Sequence, residues 1–254
     1  MRRALAILML SLLPLRLFAQ EEVVLGLSQD EVAITANFDG SEILIFGAIK
    51  RETAIPEDPL QVLVTVAGPR RPLTVRRKER RFGIWVNTDA VEVDLAPSFY
   101  AVATSAPWSD TISDIEDLRY KVSIPRAIRS VGAPMSIQDS QSFTEALIRI
   151  RENNDLYQLR EETVTLREQT LFNTAVALPA NLTEGIYSTR ILLTRGGVVI
   201  AEHDAAIDVR KVGLERWLFN LSRNQPLIYG LLSIAIAIAA GWSASAAARY
   251  LRPG

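Results

Sequence analysis

The 254-residue chain contains no cysteine and a single histidine. The first absence excludes disulfides, thiolate metal ligands and thiol nucleophiles. The second leaves zinc sites of the usual composition without enough ligands. His203 alternates with Val199, Ala201 and Ala205 on an apolar face, so we interpret it as a core or edge residue rather than a ligand. We therefore expect no metal and no cofactor.

The sequence also lacks the local patterns of common catalytic sites. It contains no G-x-S-x-G nucleophile elbow, no G-x-x-x-x-G-K-[ST] phosphate loop, no G-x-G-x-x-G and no calcium loop. The carboxylate pairs Asp114/Asp117 and Glu161/Glu162 are capable of acid–base chemistry, but short acidic runs are more typical of a solvated surface. These absences favour a protein without catalytic activity.

The chain as a whole has no excess of basic residues. The net charge is −1, so no global field attracts nucleic acid, and we expect no nucleic-acid partner. Basic charge is instead concentrated in residues 70–81, which hold seven basic side chains and one acid. This segment is the sharpest local feature of the sequence.

Residues 70–81 are predicted to form a strand that projects from a sheet or lies on its edge, because their charges occupy both faces. A turn near Lys78, Glu79 and Arg80 would gather a set of cations at the tip, namely Arg76, Arg77, Lys78, Arg80 and Arg81. Such a tip suits phosphate, sulfate, anionic headgroups or an acidic partner. The alternative is a solvated hairpin whose charges prevent edge-to-edge aggregation.

Two tryptophans are candidates for the lining of a ligand groove. Trp85 lies on the strand face opposite Phe82, Ile84 and Val86, and Trp108 lies in a loop-like segment. The alternative for both is a tryptophan that covers the end of a sheet.

Residues 1–19 have the features of a secretory signal peptide. Arg2 and Arg3 precede a short apolar run, and residues 17–19 offer a cleavage site before Gln20. The run is too short to cross a bilayer of about 30 Å, although an uncleaved N-terminal anchor is the alternative. Cleavage would leave 25 basic and 29 acidic residues, a net charge of −4.

Residues 227–248 carry no charged side chain and are predicted to cross a membrane. As a helix, these 22 residues would measure about 33 Å. Arg249 and Arg252 follow the span, as the positive-inside rule requires when the body is exported. We therefore predict a bacterial inner-membrane protein with a periplasmic body, one transmembrane helix and a cytoplasmic tail at 249–254.

Small residues recur every four positions on one face of the predicted span. Ala237, Gly241 and Ser245 would allow close approach of a second helix. The alternative is that alanine and glycine are simply common in membrane anchors. Just before the span, residues 213–226 are predicted to form an amphipathic helix along the membrane surface.

The body between these ends shows the period-two patterns of strands. They recur every 8 to 12 residues or so with Pro, Gly, Asn or Asp between them, which indicates immunoglobulin-like antiparallel sandwich modules. Residues 41–50 are almost continuously apolar, which favours a central strand covered on both faces.

A helical period interrupts these strands and divides the body. We predict an N-terminal β-sandwich module at 20–125, a helical insertion at 126–160 and a C-terminal β module at 161–212. The alternative is one larger pair of sheets with a helical insertion.

Several segments together resemble a known family. They are VVLGLSQDEVAITANFDGSEILIFGAI, RRFGIWVN, ALIRIRENNDLY, LPANLTEGIYSTRILL and KVGLERWLFNLSRNQPLIYGLLSIAIAIAAGW. From about Val23 to Arg252 the chain is similar to an uncharacterised family of single-pass transmembrane proteins of alphaproteobacteria. The resemblance implies an inner-membrane protein with a periplasmic body, brings no catalytic residues with it, and suggests an exporter-like permease as a partner.

These observations favour a membrane-anchored periplasmic accessory module that is not an enzyme. It would bind another inner-membrane protein or an anionic envelope ligand. A periplasmic hydrolase that uses carboxylates or His203 is one alternative. A structural subunit of an inner-membrane complex is the other.

Overall fold

The computed structural model describes residues 21–250, apart from 30, 35–37, 53, 132–136, 138 and 213. The expected signal peptide and the last four residues lie outside the described residues. Within these, the strands are β1 (Glu22–Leu27), β2 (Glu31–Ile34), β3 (Ser41–Lys50), β4 (Leu60–Ala67), β5 (Arg70–Arg81), β6 (Ile84–Pro97), β7 (Tyr100–Thr104), β8 (Tyr157–Arg160), β9 (Thr165–Arg167), β10 (Leu171–Leu178), β11 (Gly185–Arg195) and β12 (Val198–Lys211). The helices are α1 (Trp108–Thr111), α2 (Asp114–Tyr120), α3 (Ile124–Ala127), α4 (Ser140–Glu152), α5 (Leu214–Asn224) and α6 (Pro226–Tyr250).

The strands form two sheets and one separate hairpin. Sheet 1 has the order β1-β3-β10-β9 and is antiparallel throughout. Sheet 2 has the order β2-β12-β11-β4-β7-β8, and a parallel pair of strands lies at each of its edges. β5 and β6 pair only with each other among the described strands. The prediction of a mainly β chain with antiparallel sheets and one C-terminal apolar helix is confirmed.

The two sheets share one hydrophobic core. Burial alternates along β10, where Phe172, Val176 and Leu178 point inward, as in a strand with one face on the core. These side chains belong to the same apolar cluster as Val62 and Val64 of β4. The sheets therefore pack face to face as a sandwich.

Short helices cover the other face of sheet 2. The Tyr100 hydroxyl on β7 donates to the Val122 carbonyl at 2.7 Å, and the Thr194 hydroxyl on β11 donates to the Thr111 carbonyl. β4 and β7 are accordingly buried along almost their whole length. The layers follow the order helices, sheet 2, sheet 1.

This order corrects the expectation for residues 41–50. β3 is central within sheet 1, and Ile43 and Ile45 face the core, but Leu44 and Phe46 on its other face are exposed. The strand that is covered on both faces is β4. Both segments are apolar runs of similar length, so the sequence alone does not distinguish them.

The pairing of the strands also corrects the division into two β modules. β3 pairs with β10 in sheet 1, and β4 pairs with β11 in sheet 2, so strands from 20–125 and 161–212 lie side by side in both sheets. The alternative of one larger sheet pair with a helical insertion describes this arrangement. Local sequence patterns do not indicate which strands pair when the two strands are so far apart in sequence.

The helical segment is also placed differently from the prediction. It begins at Trp108 rather than at residue 126, and it ends at Glu152. β8, which falls inside the predicted insertion, pairs with β7 as an edge strand of sheet 2. α1 and α3 have four residues each, which is too short to show a helical period.

Two helices follow the last strand. α5 lies within the predicted surface segment 213–226, and α6 includes the whole predicted span. Pro226 is the first residue of α6, where its missing N–H costs no hydrogen bond. Pro226–Ser245 is 20 residues long, is apolar enough to cross a membrane and has none of its residues buried within the described chain.

The end of the sandwich opposite α5 carries a buried ion cluster. Glu21 Oε1 accepts hydrogen bonds from Arg51 Nε at 2.7 Å and from Arg195 Nη2 at 2.8 Å. The three side chains are between 7% and 12% exposed. Cleavage after Ala19 would retain Glu21, which connects the start of β1 to the ends of β3 and β11.

Candidate functional site

The β5–β6 hairpin continues the β4–β7 pair beyond the end of sheet 2. Gly68 donates its backbone N–H to the Phe99 carbonyl at 2.8 Å, and Ser98 donates to the Pro69 carbonyl at 2.9 Å. These two bonds join the β4–β7 ladder to the β5–β6 ladder. The hairpin therefore leaves sheet 2 at the end of β4.

The last strand leaves sheet 2 at the same place. Ala67 of β4 lies opposite Ser188 of β11, and Ser188 lies opposite Ala206 of β12. β4 and β12 both run antiparallel to β11, so both point out of the sheet at this end. We call it the exit edge, because β12 continues from here to α5 and α6.

The turn of the hairpin differs from the prediction. It consists of Phe82 and Gly83 rather than residues 78–80, since Arg81 pairs with Ile84 across it. Phe82 has φ of 50° and Gly83 has φ of 86°, the pattern of the two-residue type I′ turn that suits a twisted hairpin. Phenylalanine is an unusual residue for a position with positive φ, so the sequence did not indicate the turn.

The predicted cations do not form one cluster. Arg77 lies further down the hairpin and contacts α4: its Nη2 donates to Asp139 Oδ2 at 2.5 Å and to Ser142 Oγ at 2.9 Å, and its guanidinium lies 4.5 Å from the Phe143 ring centroid. The hydrogen bond raises the pKa of Arg77 and lowers that of Asp139. Arg77 therefore has a structural role.

The other four cations are exposed on the strand. Arg81 Nη2 donates to Glu79 Oε2 at 3.2 Å, and Arg80 Nε donates to the Gly83 carbonyl at 3.4 Å. Arg76 and Lys78 lie on the same strand face as Arg80. Lys78, Arg80 and Arg81 flank the turn, in agreement with part of the prediction.

Apolar side chains at the turn are the feature that the sequence reasoning missed. Phe82 is fully exposed, Ile84 is 64% exposed and Trp85 is 68% exposed. Ile84 lies opposite Arg81, and Trp85 lies opposite Arg80. Residues 78–87, here called the hairpin tip, thus combine three basic side chains and one acid with three exposed apolar ones. Trp85 therefore lies on this projection.

A second exposed apolar surface lies on sheet 1. Its outer face, which points away from sheet 2, is formed by Val24, Leu44, Phe46, Ala48 and Leu171. The four large side chains among them are between 43% and 55% exposed. The Phe46 ring covers Gly26, where a Cβ would lie 2.4 Å from the ring. A shallow groove of about 430 Å³ runs beside Phe46 and Leu171.

Trp108 lines a different depression, between α1, α3 and α4. Ile124, Ile148 and Leu159 share this groove of about 330 Å³, and Glu152 adds a carboxylate at its wall. Trp108 is partly buried against the core. Trp108 therefore lines a groove, and Trp85 does not contribute to it.

The carboxylates considered for acid–base chemistry have different surroundings. Asp117 is buried and accepts from Ser123 N at 2.7 Å and from Arg126 Nε at 2.7 Å. Asp114 is exposed, as are Glu161 and Glu162. His203 of β12 lies opposite Ile191 of β11 and is half-buried. Among the described residues, no three acidic or histidine side chains are placed to share a metal ion.

The predicted packing face of the span lies on α6. Gly241 has no other part of the described chain within 4 Å of the position where a Cβ would stand, and Ala237 and Ser245 are exposed. This face is therefore not used for packing against the described part of the body.

Comparison with known proteins gives one family. A profile of the family described as "Putative transmembrane protein (Alph_Pro_TM)" matches residues 22–250. This range covers the sandwich, the hairpin, α5 and α6. No curated protein matches the chain.

Proposed function

The chain belongs to this alphaproteobacterial family of transmembrane proteins. We propose that it is a non-catalytic accessory module that docks onto another inner-membrane protein. α6 anchors the module in the membrane. The body lies in the periplasm and the C-terminus in the cytoplasm, an orientation supported by the signal-like residues 1–19 and by the arginines after the span.

The outer face of sheet 1 is the surface that carries this proposal. The other two layers of the body cover each other, whereas Val24, Leu44, Phe46 and Leu171 lie together in solvent on three paired strands, β1, β3 and β10. Contiguous exposed apolar surface on a folded domain is typical of a protein-binding site. Charged side chains are found at the margins of this face, as in the Lys50–Glu22 pair.

Anchoring by α6 favours a membrane protein as the partner. A module held at the membrane by one helix meets other membrane proteins at a raised local concentration, which compensates for a modest intrinsic affinity. A flat apolar face with few charges suits an apolar protein surface better than a small polar ligand. The partner is therefore a membrane protein that exposes an apolar patch on the periplasmic side.

Site-specific photocrosslinking in intact cells tests the proposal. A photoreactive amino acid at Phe46 of the full-length chain is expected to give a discrete crosslink to an integral-membrane protein. Val198, which is also exposed but lies at the far end of sheet 2, is the matched control and is expected to give none. A second copy of this chain as the crosslinked species would overturn the proposed partner, as would equal products from both positions.

A charge on the outer face should separate docking from folding. Phe46→Asp is expected to abolish the crosslink or the co-purification of that protein, while Val198→Asp leaves it unchanged. Both variants should unfold at similar temperatures, because both side chains are already about half in solvent. Retained co-purification with Phe46→Asp would count against this face.

A further inference from the structure

The hairpin tip, with its exposed apolar turn and basic flanks, has no role in the docking described above. We propose that it inserts into the anionic headgroup layer of the membrane that holds α6, and so gives the body a second membrane contact. This inference rests on the proposed membrane anchoring of the chain. It does not depend on the partner that binds sheet 1.

The position of the hairpin brings its tip to the side of the anchor. β4 and β12 leave sheet 2 at the exit edge, one toward the hairpin and the other toward α5 and α6. At about 3.3 Å per residue step, β5 reaches at most about 36 Å beyond this edge from Arg70 to Arg81. β12 extends about 17 Å from Ala206 to Lys211 on the same scale. The hairpin is thus long enough to reach the surface into which the chain descends.

The lower part of the hairpin is held in place by contacts with α4. Val91 on β6 and Phe143 on α4 are buried, although neither belongs to the main core. Arg77 of β5 also connects the hairpin to α4, through Asp139 and Ser142. The lower half of the hairpin therefore packs on α4, and only the tip extends freely into solvent.

The chemistry of the tip suits the interface of a bilayer. Tryptophan prefers the headgroup level, where its ring is half apolar and half wet, and Phe82 and Ile84 supply the apolar contact that reaches the acyl boundary. Lys78, Arg80 and Arg81 exceed the single acid Glu79, which gives attraction to anionic lipids. A hairpin that needed only solubility would gain nothing from three exposed apolar side chains at its turn.

The second contact has a consequence for docking. A body tethered by one helix alone is free to rotate about the anchor. Contact of the tip with the membrane removes that freedom, so the outer face of sheet 1 keeps one direction relative to neighbouring membrane proteins. The tip would then favour binding by orienting the face in advance.

Fluorescence of a single label tests the contact in the full-length chain. Because the sequence has no cysteine, Phe82→Cys accepts an environment-sensitive dye at one position. In nanodiscs of phosphatidylcholine with phosphatidylglycerol, we expect its emission to shift to shorter wavelength and to be quenched by nitroxide-labelled lipid. The same dye at Val198→Cys, near the far end of sheet 2, should show neither change. No shift or quenching at position 82 would overturn the inference.

Variants of the tip test its two components. Phe82→Asn introduces the residue that type I′ turns prefer, so the hairpin should keep its fold while a label at Trp85→Cys loses quenching. Arg80→Glu with Arg81→Glu should remove the dependence on phosphatidylglycerol. Equal quenching in pure phosphatidylcholine would overturn the anionic preference. A label that is shielded in native membranes but not quenched in nanodiscs would instead indicate a protein contact and overturn the lipid assignment.

The two proposals fail separately in these experiments. Loss of the tip contact with a retained Phe46 crosslink would leave the docking intact. Loss of the Phe46 crosslink with normal quenching at position 82 would leave the membrane contact intact.

Discussion

At the scale of single residues, neighbouring carboxylates have very different roles. Glu21 is buried between Arg51 and Arg195, whereas Glu22 forms an exposed pair with Lys50 at 3.7 Å. Both glutamates lie within three residues of the expected cleavage site, and nothing in the local sequence distinguishes them. The difference arises because β1 begins where β3 and β11 end, which places only one of the two side chains inside.

We predict that Glu21→Gln destabilises the protein and that Glu22→Gln does not. The first change leaves two guanidiniums in a buried site with reduced compensation, which costs about 3–5 kcal/mol. The second removes an exposed pair worth about 0–1 kcal/mol. Denaturant unfolding of both variants in detergent gives the two free energies of unfolding. Equal losses would contradict the burial of the cluster.

Two buried tyrosines make stability depend on pH at the alkaline end. Burial raises the pKa of Tyr100 and of Tyr157, each to about 12 from its ordinary value of 10. Below pH 10 both hydroxyls are protonated in the folded and unfolded states, so neither affects the pH dependence. Between about pH 10 and 12 only the unfolded state releases these protons, so stability falls by about 2–3 kcal/mol for each tyrosine.

Tyr157→Phe should therefore reduce this alkaline loss by the contribution of one tyrosine, about 2–3 kcal/mol. At neutral pH it costs about 1 kcal/mol, because the Pro97 carbonyl loses a donor at 2.8 Å. Unfolding free energies measured from pH 8 to about pH 11.5 give both values. The half-buried Tyr120, changed to phenylalanine, serves as the control, and an alkaline slope unchanged from the wild type in Tyr157→Phe would contradict the prediction.

At the scale of elements, the sequence predicts whether a segment is a strand or a helix better than it predicts which elements that segment packs against. Alternation indicated the strands and their antiparallel pairing, and the uncharged run indicated α6, because these signals are local. The covered strand β4 and the half-exposed strand β3 look alike in sequence, since their coverage depends on the layer formed by helices α1 to α4. The exposed tip was missed for a similar reason, because Phe82 and Trp85 resemble core residues until the pairing of the hairpin is known.

The contact between the hairpin and α4 is predicted to depend on Arg77. Replacing it with alanine removes the bonds to Asp139 and Ser142 together with the contact to Phe143. Hydrogen exchange in α4 should then become faster, while exchange in β4 and β11 stays unchanged. Arg76→Ala, on the exposed face of the same strand, is the matched control. Equal exchange of α4 in both variants would show that Arg77 does not hold the helix.

At the scale of the whole molecule, the two ends of the sandwich have different characters. The end with Glu21 is closed by buried ion pairs, and the exit edge carries both the hairpin and the chain that leads to α6. The outer face of sheet 1 lies along the side between these ends. On the two proposals made above, this arrangement would place the membrane anchor and the orienting contact at one end of the sandwich and the docking face along its side.

Because both sheets mix strands from both halves of the sequence, we predict that the body unfolds as one cooperative unit. Leu63→Ala in β4 and Phe172→Ala in β10 remove fully buried side chains of one core, at a cost of about 2–5 kcal/mol each. Denaturant-dependent hydrogen exchange should show that either change lowers the protection of β4 and β10 by the same free energy. Two independent modules would behave differently, with Leu63→Ala affecting only strands before residue 126, and that result would refute the shared core.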